Sequence, residues 1–358
     1  MSILPNWPEP IIRVQSLSKS GIRKIPDRFV KPLSDRPSNV TDPKITLGNV
    51  PLIDLENLNS SKRQETIDLV SYACREWGFF QVANHGVSHE LMEKTPSVWR
   101  EFFQLPLEEK EKFASSPMTY EGYGSRVGVE VGAFGLDWCD FFFLHYLPQA
   151  LKDENKWPCL PSPCRKVVSE YGEELEKLSR RLTKILSIGL GLNEDYIHQS
   201  FGGDSETSAC LRANFYPKCP QPDLTLGLSP HSDPGGITIV LPDTDIASLQ
   251  IRHGNNWLTI NPIPNAFIVN VGDQIQVLSN AIYKSVEHRV IANSNKERLS
   301  VVFFYNPGGH TLIKPADQLV TKDSPALYSP ITFNEYRSFL RSKGVCGKTQ
   351  IESLKFPR

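Results

Sequence analysis

The chain has 358 residues, of which 39% are hydrophobic and 22% are charged. This length suits one large hydrophobic core with added helices, because single cores stop growing at roughly 250 to 300 residues. The 39 basic and 40 acidic side chains leave a formal net charge of -1. So balanced a charge gives no reason to expect nucleic acid or an anionic membrane as a partner.

The N-terminus and the cysteines bear on where the protein resides. The first ten residues, MSILPNWPEP, contain no apolar signal segment. No part of the chain approaches the roughly 18 apolar residues of a spanning helix. The seven cysteines are scattered and form no C-x-x-C pair, which is typical of reduced thiols. We therefore expect a cytoplasmic protein that binds no membrane and can reach the nucleus by diffusion. We also expect it to be a monomer.

The first half of the chain alternates irregular and helical segments. Residues 1–49 are rich in Pro and basic residues without sustained periodicity, which predicts an extended arm with little regular structure. Apolar residues recur at helical spacing from Lys62 to Trp77, and Gly78 follows as a stop. Phe79 to Val82 then predicts a strand. A longer amphipathic helix is predicted from about Arg165 to Ile188.

Beyond residue 205 the pattern changes to short β-rich segments separated by Pro, Gly, Asn and Asp. Many short strands with turn signals predict a barrel or a double-sheet jelly roll. We divide the chain into an arm (1–49), a helix-rich region (50–204), a jelly-roll core (205–310), and a C-terminal helix and tail that close the pocket (311–358). The predicted strands are Leu211 to Tyr216, Ile237 to Leu241, Leu249 to Ile251, Phe267 to Val271 and Leu299 to Tyr305.

Three residues in the predicted core suit a metal site. His231 and Asp233 are two apart, and in an extended chain residues i and i+2 point to the same face. His288 lies in another β-like segment that a jelly roll can bring alongside. Two His and one carboxylate on one face of an octahedron leave three open positions, as in non-haem Fe(II) oxygenases. Taken alone, an H-x-D pattern is more often a surface turn.

Arg298 and Ser300 favour the metal interpretation. They follow His288 by ten and twelve residues, and their i, i+2 spacing aims a guanidinium and a hydroxyl at one face. Such a pair suits the tail of a dicarboxylate.

Several motifs in order then resemble the plant 2-oxoglutarate-dependent dioxygenases over nearly the whole chain. They are Trp77 to Val82, Asn84 to Gly86, Asn214 to Pro217, His231 to Asp233, Asn270 to Asp273, Glu287 to Arg289 and Arg298 to Ser300.

The resemblance implies an α+β fold whose core is a distorted double-stranded β-helix (jelly roll, cupin-like) flanked by N-terminal and C-terminal helices. It also implies Fe(II), the co-substrates 2-oxoglutarate and O2, and ascorbate as a supporting reductant. Arg298, Ser300 and Tyr216 would hold the far carboxylate of 2-oxoglutarate, and Asn214 its keto acid end. Ordinary barrel packing is the alternative role for Asn214 and Tyr216.

A third arginine suggests an acidic substrate. If the strand turns Asn214 and Tyr216 towards the lumen, period-two geometry turns Arg212 there as well. An enclosed guanidinium left unpaired costs about 3–5 kcal/mol, so an internal acid or a substrate carboxylate should face it. Val302 and Phe304 share the face of Arg298 and would add an apolar wall, which favours an amphipathic acid.

The C-terminal segment narrows the resemblance to one branch. Arg337 and Arg341 are four apart and share one side of a predicted helix, which is more often a solvated basic face. With Arg212 and the segment Phe303 to Pro307, however, they resemble the jasmonate-induced oxygenases. In that branch the matching arginines bind the carboxylate of jasmonic acid. The implied reaction hydroxylates jasmonic acid at carbon 12 and removes the precursor of the active hormone conjugate.

Two alternatives remain open. Flavonol and anthocyanidin synthases share the iron and 2-oxoglutarate motifs. However, Phe141 stands where those enzymes tend to carry tyrosine, and Asn306 stands where anthocyanidin synthases tend to have glutamate. A non-catalytic sensor of small acids is the other alternative, although a pure binder needs no open metal positions. Phe134, Phe142 and Phe304 are candidate pocket walls under either enzyme, and core packing is the commoner fate of a phenylalanine.

Overall fold

The computed structural model of the protein describes residues 11–37, 50–116, 120–125, 135–343 and 347–356. Helices precede and follow a region rich in strands. The helices in these ranges are α1 (Val14–Lys19), α2 (Arg63–Glu76), α3 (His89–Gln104), α4 (Leu107–Glu111), α5 (Cys164–Gly189), α6 (Tyr196–Ser200), α7 (Gly203–Glu206), α8 (Asp273–Leu278), α9 (Phe333–Lys343) and α10 (Thr349–Glu352). Six short 3-10 helices lie between them in the described ranges.

The strands lie mainly in the second half of the chain. They are β1 (Leu52–Asp54), β2 (Phe79–Ala83), β3 (Gly122–Gly124), β4 (Asp140–Leu147), β5 (Ser208–Tyr216), β6 (Leu226–His231), β7 (Ile237–Leu241), β8 (Leu249–His253), β9 (Asn256–Thr259), β10 (Phe267–Val271), β11 (His288–Ile291), β12 (Arg298–Asn306), β13 (Leu312–Ile313) and β14 (Ile331–Thr332).

The two predicted amphipathic helices are confirmed as α2 and α5. α2 ends at Glu76, and Gly78 follows two residues later. The backbone of Gly78 has a positive φ of 64°, and a Cβ there would collide with the Lys284 carbonyl. Gly is therefore needed at this stop for both conformation and space. α5 buries one apolar stripe that includes Val168, Leu175 and Leu182, and it packs against β7 and β12.

Two sheets form the core. Eight strands join in the order β1-β2-β10-β7-β12-β5-β4-β3, and four join in the order β6-β11-β8-β9. Helices α2, α3 and α5 bury their apolar faces in one core cluster with the larger sheet. The opposite face of that sheet packs with the smaller sheet around a second cluster. The fold is α+β with a double-stranded β-helix core, as predicted.

The larger sheet contains strands from both the predicted helix-rich region (50–204) and the predicted jelly-roll core (205–310). β1 to β4 precede residue 205, yet β2 pairs with β10 and β4 pairs with β5. The helix-rich region and the core are thus joined in one sheet by backbone hydrogen bonds. The four predicted regions stay a prediction about the organisation of the chain.

The prediction of an arm with little regular structure is wrong for Val14–Lys19, which form α1. The backbone amides of Val14 and Gln15 donate to the buried carboxylate of Asp140, at 2.9 and 2.8 Å. This carboxylate comes from β4 and supplies hydrogen-bond acceptors for two backbone amides in the first turn of α1. A local sequence pattern carries no sign of a cap supplied by a distant strand.

Among the described residues, no helix is both long enough and apolar enough to cross a bilayer.

Candidate active site

The three predicted metal ligands converge between the sheets. His231 ends β6, Asp233 follows it, and His288 begins β11, where antiparallel pairing places it opposite His231. Asp233 Oδ1 lies 3.6 Å from His231 Nε2 and 3.7 Å from His288 Nε2. All three side chains are buried, and one ligand atom from each lies within 4.8 Å of the others. No other such group of three occurs in the described ranges.

Neighbouring groups orient each ligand. His231 Nδ1 donates to the Ser229 carbonyl at 2.8 Å, and His288 Nδ1 contacts the Val286 carbonyl at 3.2 Å. A carbonyl only accepts, so Nδ1 carries the proton and Nε2 presents a lone pair to the metal.

The carboxylate is oriented in the same way. Asp233 Oδ2 accepts from Thr238 Oγ1 at 2.6 Å and from Asn270 Nδ2 at 2.7 Å. Oδ1 therefore remains for the metal. Two imidazole nitrogens and one carboxylate oxygen fit Fe(II) with positions left open.

The electrostatics agree with this donor set. Burial disfavours the charged form of Asp233, but His288, His231 and the two hydrogen bonds outweigh burial and hold the pKa of the carboxyl below its ordinary value. Burial, followed by the neighbouring His288, lowers the pKa of the His231 imidazole. At neutral pH the site therefore offers a carboxylate and a neutral His231, the forms that bind a metal ion.

A cationic site for a dicarboxylate lies beside the metal ligands. Arg298 and Ser300 on β12 stand opposite Tyr216 and Asn214 on β5, and all four side chains are buried. Arg298 Nη1 donates to Ser300 Oγ at 3.4 Å, and its guanidinium carbon lies 5.1 Å from the centre of the Tyr216 ring.

Arg298 lacks an internal counter-ion in the described ranges. No carboxylate there pairs with it, and its Nε has no hydrogen-bond partner. A buried guanidinium in this state requires an anion from outside the chain. The far carboxylate of 2-oxoglutarate fits that requirement, because an arginine fork binds a carboxylate through two hydrogen bonds.

Two cavities meet at the metal ligands. The inner cavity, about 60 Å³, is lined by the three ligands and by Arg298, Ser300, Asn214 and Tyr216. The outer cavity, about 170 Å³, is mostly apolar. Residues His231, Asp233, Arg212, Leu228 and Phe304 line both. A molecule in the outer cavity would therefore lie next to the metal.

Two arginines reach the outer cavity from different elements. Arg212 on β5 is half-buried, and its guanidinium lies 3.9 Å from the centre of the Phe141 ring. Arg337 on α9 lines the cavity with its guanidinium 5.1 Å from the centre of the Phe333 ring, and it donates to Asn334 Oδ1 at 3.4 Å. Arg341 belongs to α9, but its side chain lies outside the described part of the chain.

Comparison with known proteins decides the family. Residues 207–307 match the profile of the 2OG-Fe(II) oxygenase superfamily. Residues 50–160 match that of the non-haem dioxygenase in morphine synthesis N-terminal. Jasmonate-induced oxygenase 3 of Arabidopsis thaliana is 56% identical, with 100% of both chains covered. The chain belongs to the 2OG-Fe(II) oxygenase superfamily. It is a non-haem dioxygenase that uses Fe(II), 2-oxoglutarate and O2, and the non-catalytic sensor is set aside.

Two further relatives place the dioxygenase within its family. A crystal structure of JOX2 in complex with 2OG, Fe and JA has a TM-score of 0.92 and 54% identity, covering 98% of this chain and 100% of that one. Oxoglutarate-dependent flavonoid 7-O-demethylase 1 of Ocimum basilicum is 38% identical, with coverage of 96% and 90%.

The prediction that Phe142 lines the pocket is wrong. Phe142 is fully buried on the helix side of β4, where its ring contacts Trp99 and Phe102. Its neighbours Phe141 and Phe143 line the outer cavity. Side chains alternate along a strand, so only one of these two sets can face the lumen.

The other two predicted walls have different outcomes. Phe304 lines both cavities. Phe134 lies outside the described residues.

Sequence reasoning missed three kinds of site residue. Phe141 and Phe143 share the cavity face, and the alternation around Asp140 to Phe143 was an available signal. Phe333 reaches the cavity from the start of α9, and no local pattern points to it. Thr238 has no local signal either, because its role depends on Asp233 lying beside β7.

Proposed function

We propose that this dioxygenase hydroxylates jasmonic acid at carbon 12. One oxygen atom of O2 would enter the C–H bond to give 12-hydroxyjasmonate. The other would enter 2-oxoglutarate, which leaves as succinate and CO2. The reaction would consume the precursor of a hormone conjugate, so the enzyme would act in hormone catabolism.

The observation that carries this proposal is the pair of guanidinium groups at an apolar cavity beside the metal ligands. Arg212 Nε is buried without a hydrogen-bond partner, and no described carboxylate forms an ion pair with Arg212. The cavity walls include Phe141, Phe143 and Phe304. Jasmonic acid combines a carboxylate with an apolar frame and so complements both features. The likeness to the jasmonate-induced oxygenases supports the same substrate.

The chain itself contributes binding and placement. When bound, the iron supplies the activation of O2, and the protein decides which carbon lies beside it. Arg298, Ser300 and Tyr216 would hold the far carboxylate of 2-oxoglutarate. Arg212 and Arg337, with Arg341 as a third candidate, would hold the carboxylate of jasmonic acid. The apolar frame would lie along the phenylalanines, so that the carbon farthest from the carboxylate meets the metal.

Replacing Arg212 tests the proposal. We expect Arg212→Ala to raise KM for jasmonic acid by about 10- to 100-fold, because a hydrogen bond to a charged group is worth about 1.5–3 kcal/mol. KM for 2-oxoglutarate should stay within about twofold. Arg252→Ala is the matched control, because Arg252 is also half-buried but stacks on Trp257 outside both cavities. Equal effects of Arg212→Ala on both substrates would contradict the proposal.

Flavonoid oxidation remains the second candidate, because a flavonoid demethylase shares 38% identity with this chain. Flavonoids carry no carboxylate, and they leave the buried Nε of Arg212 without a partner. Incubation with jasmonic acid and a panel of flavonoids, followed by mass spectrometry, distinguishes the two. A gain of one oxygen on jasmonic acid supports the first candidate, and oxidation or demethylation of flavonoids alone supports the second.

Three expectations accompany the proposed function. We propose that the enzyme is a monomer, which sedimentation velocity will test. We also propose a cytoplasmic location, which imaging of a fluorescent fusion will test. Ascorbate should sustain turnover, and progress curves with and without it measure that effect.

A further inference from the structure

One short segment holds both the metal-ligand loop and the C-terminal helix. It runs from the end of β10 into α8. Asn270 donates to Asp233 Oδ2, and Gln274 Nε2 donates to the Pro234 carbonyl at 3.0 Å. These bonds fix the loop that carries the metal ligand Asp233.

Asp273, in the middle of that segment, joins the loop to α9. Its Oδ2 accepts from Ser232 Oγ at 3.1 Å and from Tyr336 OH at 2.6 Å. Its backbone amide donates to the Asp233 carbonyl at 2.8 Å. Asp273 and Tyr336 are both almost fully buried. A single carboxylate oxygen therefore connects the residue between the metal ligands His231 and Asp233 to the helix that carries Arg337.

Tyr336 and Arg337 are adjacent on α9 and point in different directions, because successive helical residues are about 100° apart. Tyr336 reaches inward to Asp273, while Arg337 lines the outer cavity. Side chains extend about 6 Å from a helix axis. A rotation of α9 by about 20° would therefore move the Arg337 guanidinium by about 2 Å, which is enough to break a hydrogen bond to a substrate.

We propose that Tyr336, acting through Asp273, is a positioning residue that sets the orientation of Arg337 and so the preference of the enzyme for a carboxylate substrate. The inference rests on the proposed function, because it assigns Arg337 to the substrate carboxylate. Loss of the Tyr336 hydroxyl leaves α9 in several orientations, of which only one presents Arg337 correctly. The apparent affinity for the acid then falls by the fraction of molecules in that orientation.

Tyr328 provides a matched control. It is also almost fully buried, and its hydroxyl accepts a hydrogen bond from Gln276 Nε2 at 2.7 Å. Tyr328→Phe thus removes one buried hydroxyl between the C-terminal segment and α8, as Tyr336→Phe does. It leaves the connection between Asp273 and Arg337 intact. A merely stabilising role of Tyr336 predicts the same behaviour for both variants.

The experiment measures kcat and KM for jasmonic acid and for its methyl ester, together with KM for 2-oxoglutarate. We expect Tyr336→Phe to raise KM for the acid about tenfold, because the lost hydrogen bond involves a charged group. At saturating acid, kcat should be unchanged, since bound acid selects the correct orientation of α9. KM for the ester and for 2-oxoglutarate should change less than about twofold. Tyr328→Phe should leave the acid-to-ester ratio of KM unaltered.

A double-mutant cycle with Arg337→Ala completes the test. If Tyr336 acts through Arg337, adding Tyr336→Phe to Arg337→Ala should not raise KM for the acid any further. A full tenfold effect in that background, or equal losses for acid and ester, overturns the inference. If the wild-type enzyme does not hydroxylate jasmonic acid, the proposed function fails and this inference falls with it. If it hydroxylates the acid no better than the ester, only the inference fails. If the wild type prefers the acid and the two tyrosine variants behave alike, only the inference fails.

Discussion

Thr238→Val should weaken iron binding although Thr238 is not a metal ligand. The substitution exchanges a hydroxyl for a methyl group of similar size on β7, so the strand keeps a β-branched residue and the cavity keeps its volume. What is lost is the 2.6 Å hydrogen bond to Asp233 Oδ2. Of the two side chains that donate to Asp233 Oδ2, only Asn270 then remains, at 2.7 Å.

The magnitude follows from the charge on the acceptor. A hydrogen bond to a charged group contributes about 1.5–3 kcal/mol, and removing a partner of a metal ligand typically costs about 10- to 100-fold in metal affinity. We therefore expect the Kd for Fe(II) to rise by about 10- to 100-fold. Saturating Fe(II) should restore most of the turnover, because all three ligands remain.

The assay is an anaerobic calorimetric titration of the metal-free protein with Fe(II), which measures the Kd. Thr225→Val is the control, because Thr225 is also fully buried but its hydroxyl has no hydrogen-bond partner among the described residues. That variant should bind iron as the wild type does. An unchanged Kd in Thr238→Val, or an equal loss in Thr225→Val, would refute the assigned role of the Thr238 hydrogen bond.

Three other outcomes are expected. His231→Ala and Asp233→Ala should each abolish succinate production while far-UV circular dichroism stays native; full activity in either variant would remove the iron assignment. Phe142→Ala should cost about 3–5 kcal/mol in urea unfolding with little change in substrate KM, whereas Phe141→Ala should raise KM at a smaller loss of stability; the reverse pattern would contradict their placement. Burial raises the pKa of Asp273 from 3.8 to about 6. Its contribution of about 3 kcal/mol to the free energy of unfolding is therefore present below pH 3.8 and is lost as the pH rises through about 6. Metal-free Asp273→Asn should accordingly gain stability relative to wild type between pH 4 and 7. If the free energies of unfolding of the two proteins change in parallel over this range, the raised pKa of Asp273 is contradicted.

Residue identity and spacing were enough to find the chemistry of the site. His231 and Asp233 are two apart and so share one face of an extended chain, and Arg298 and Ser300 do the same. These relations hold in any strand, and the fold preserved them. The long helices α2 and α5 were predicted within about one residue of their observed ends, because their apolar stripes repeat along the helix.

What the tertiary structure decided was which face of a strand meets which neighbour. Alternation separates Phe142 from Phe141 and Phe143, but only the packing of α3 against β4 turned Phe142 away from the cavity. α1 depends on Asp140 from β4, and the connection of Tyr336 to Ser232 depends on Asp273 from a third segment. Periodicity is a local property that a sequence displays directly. Contacts between segments far apart along the chain arise only when the whole chain has packed.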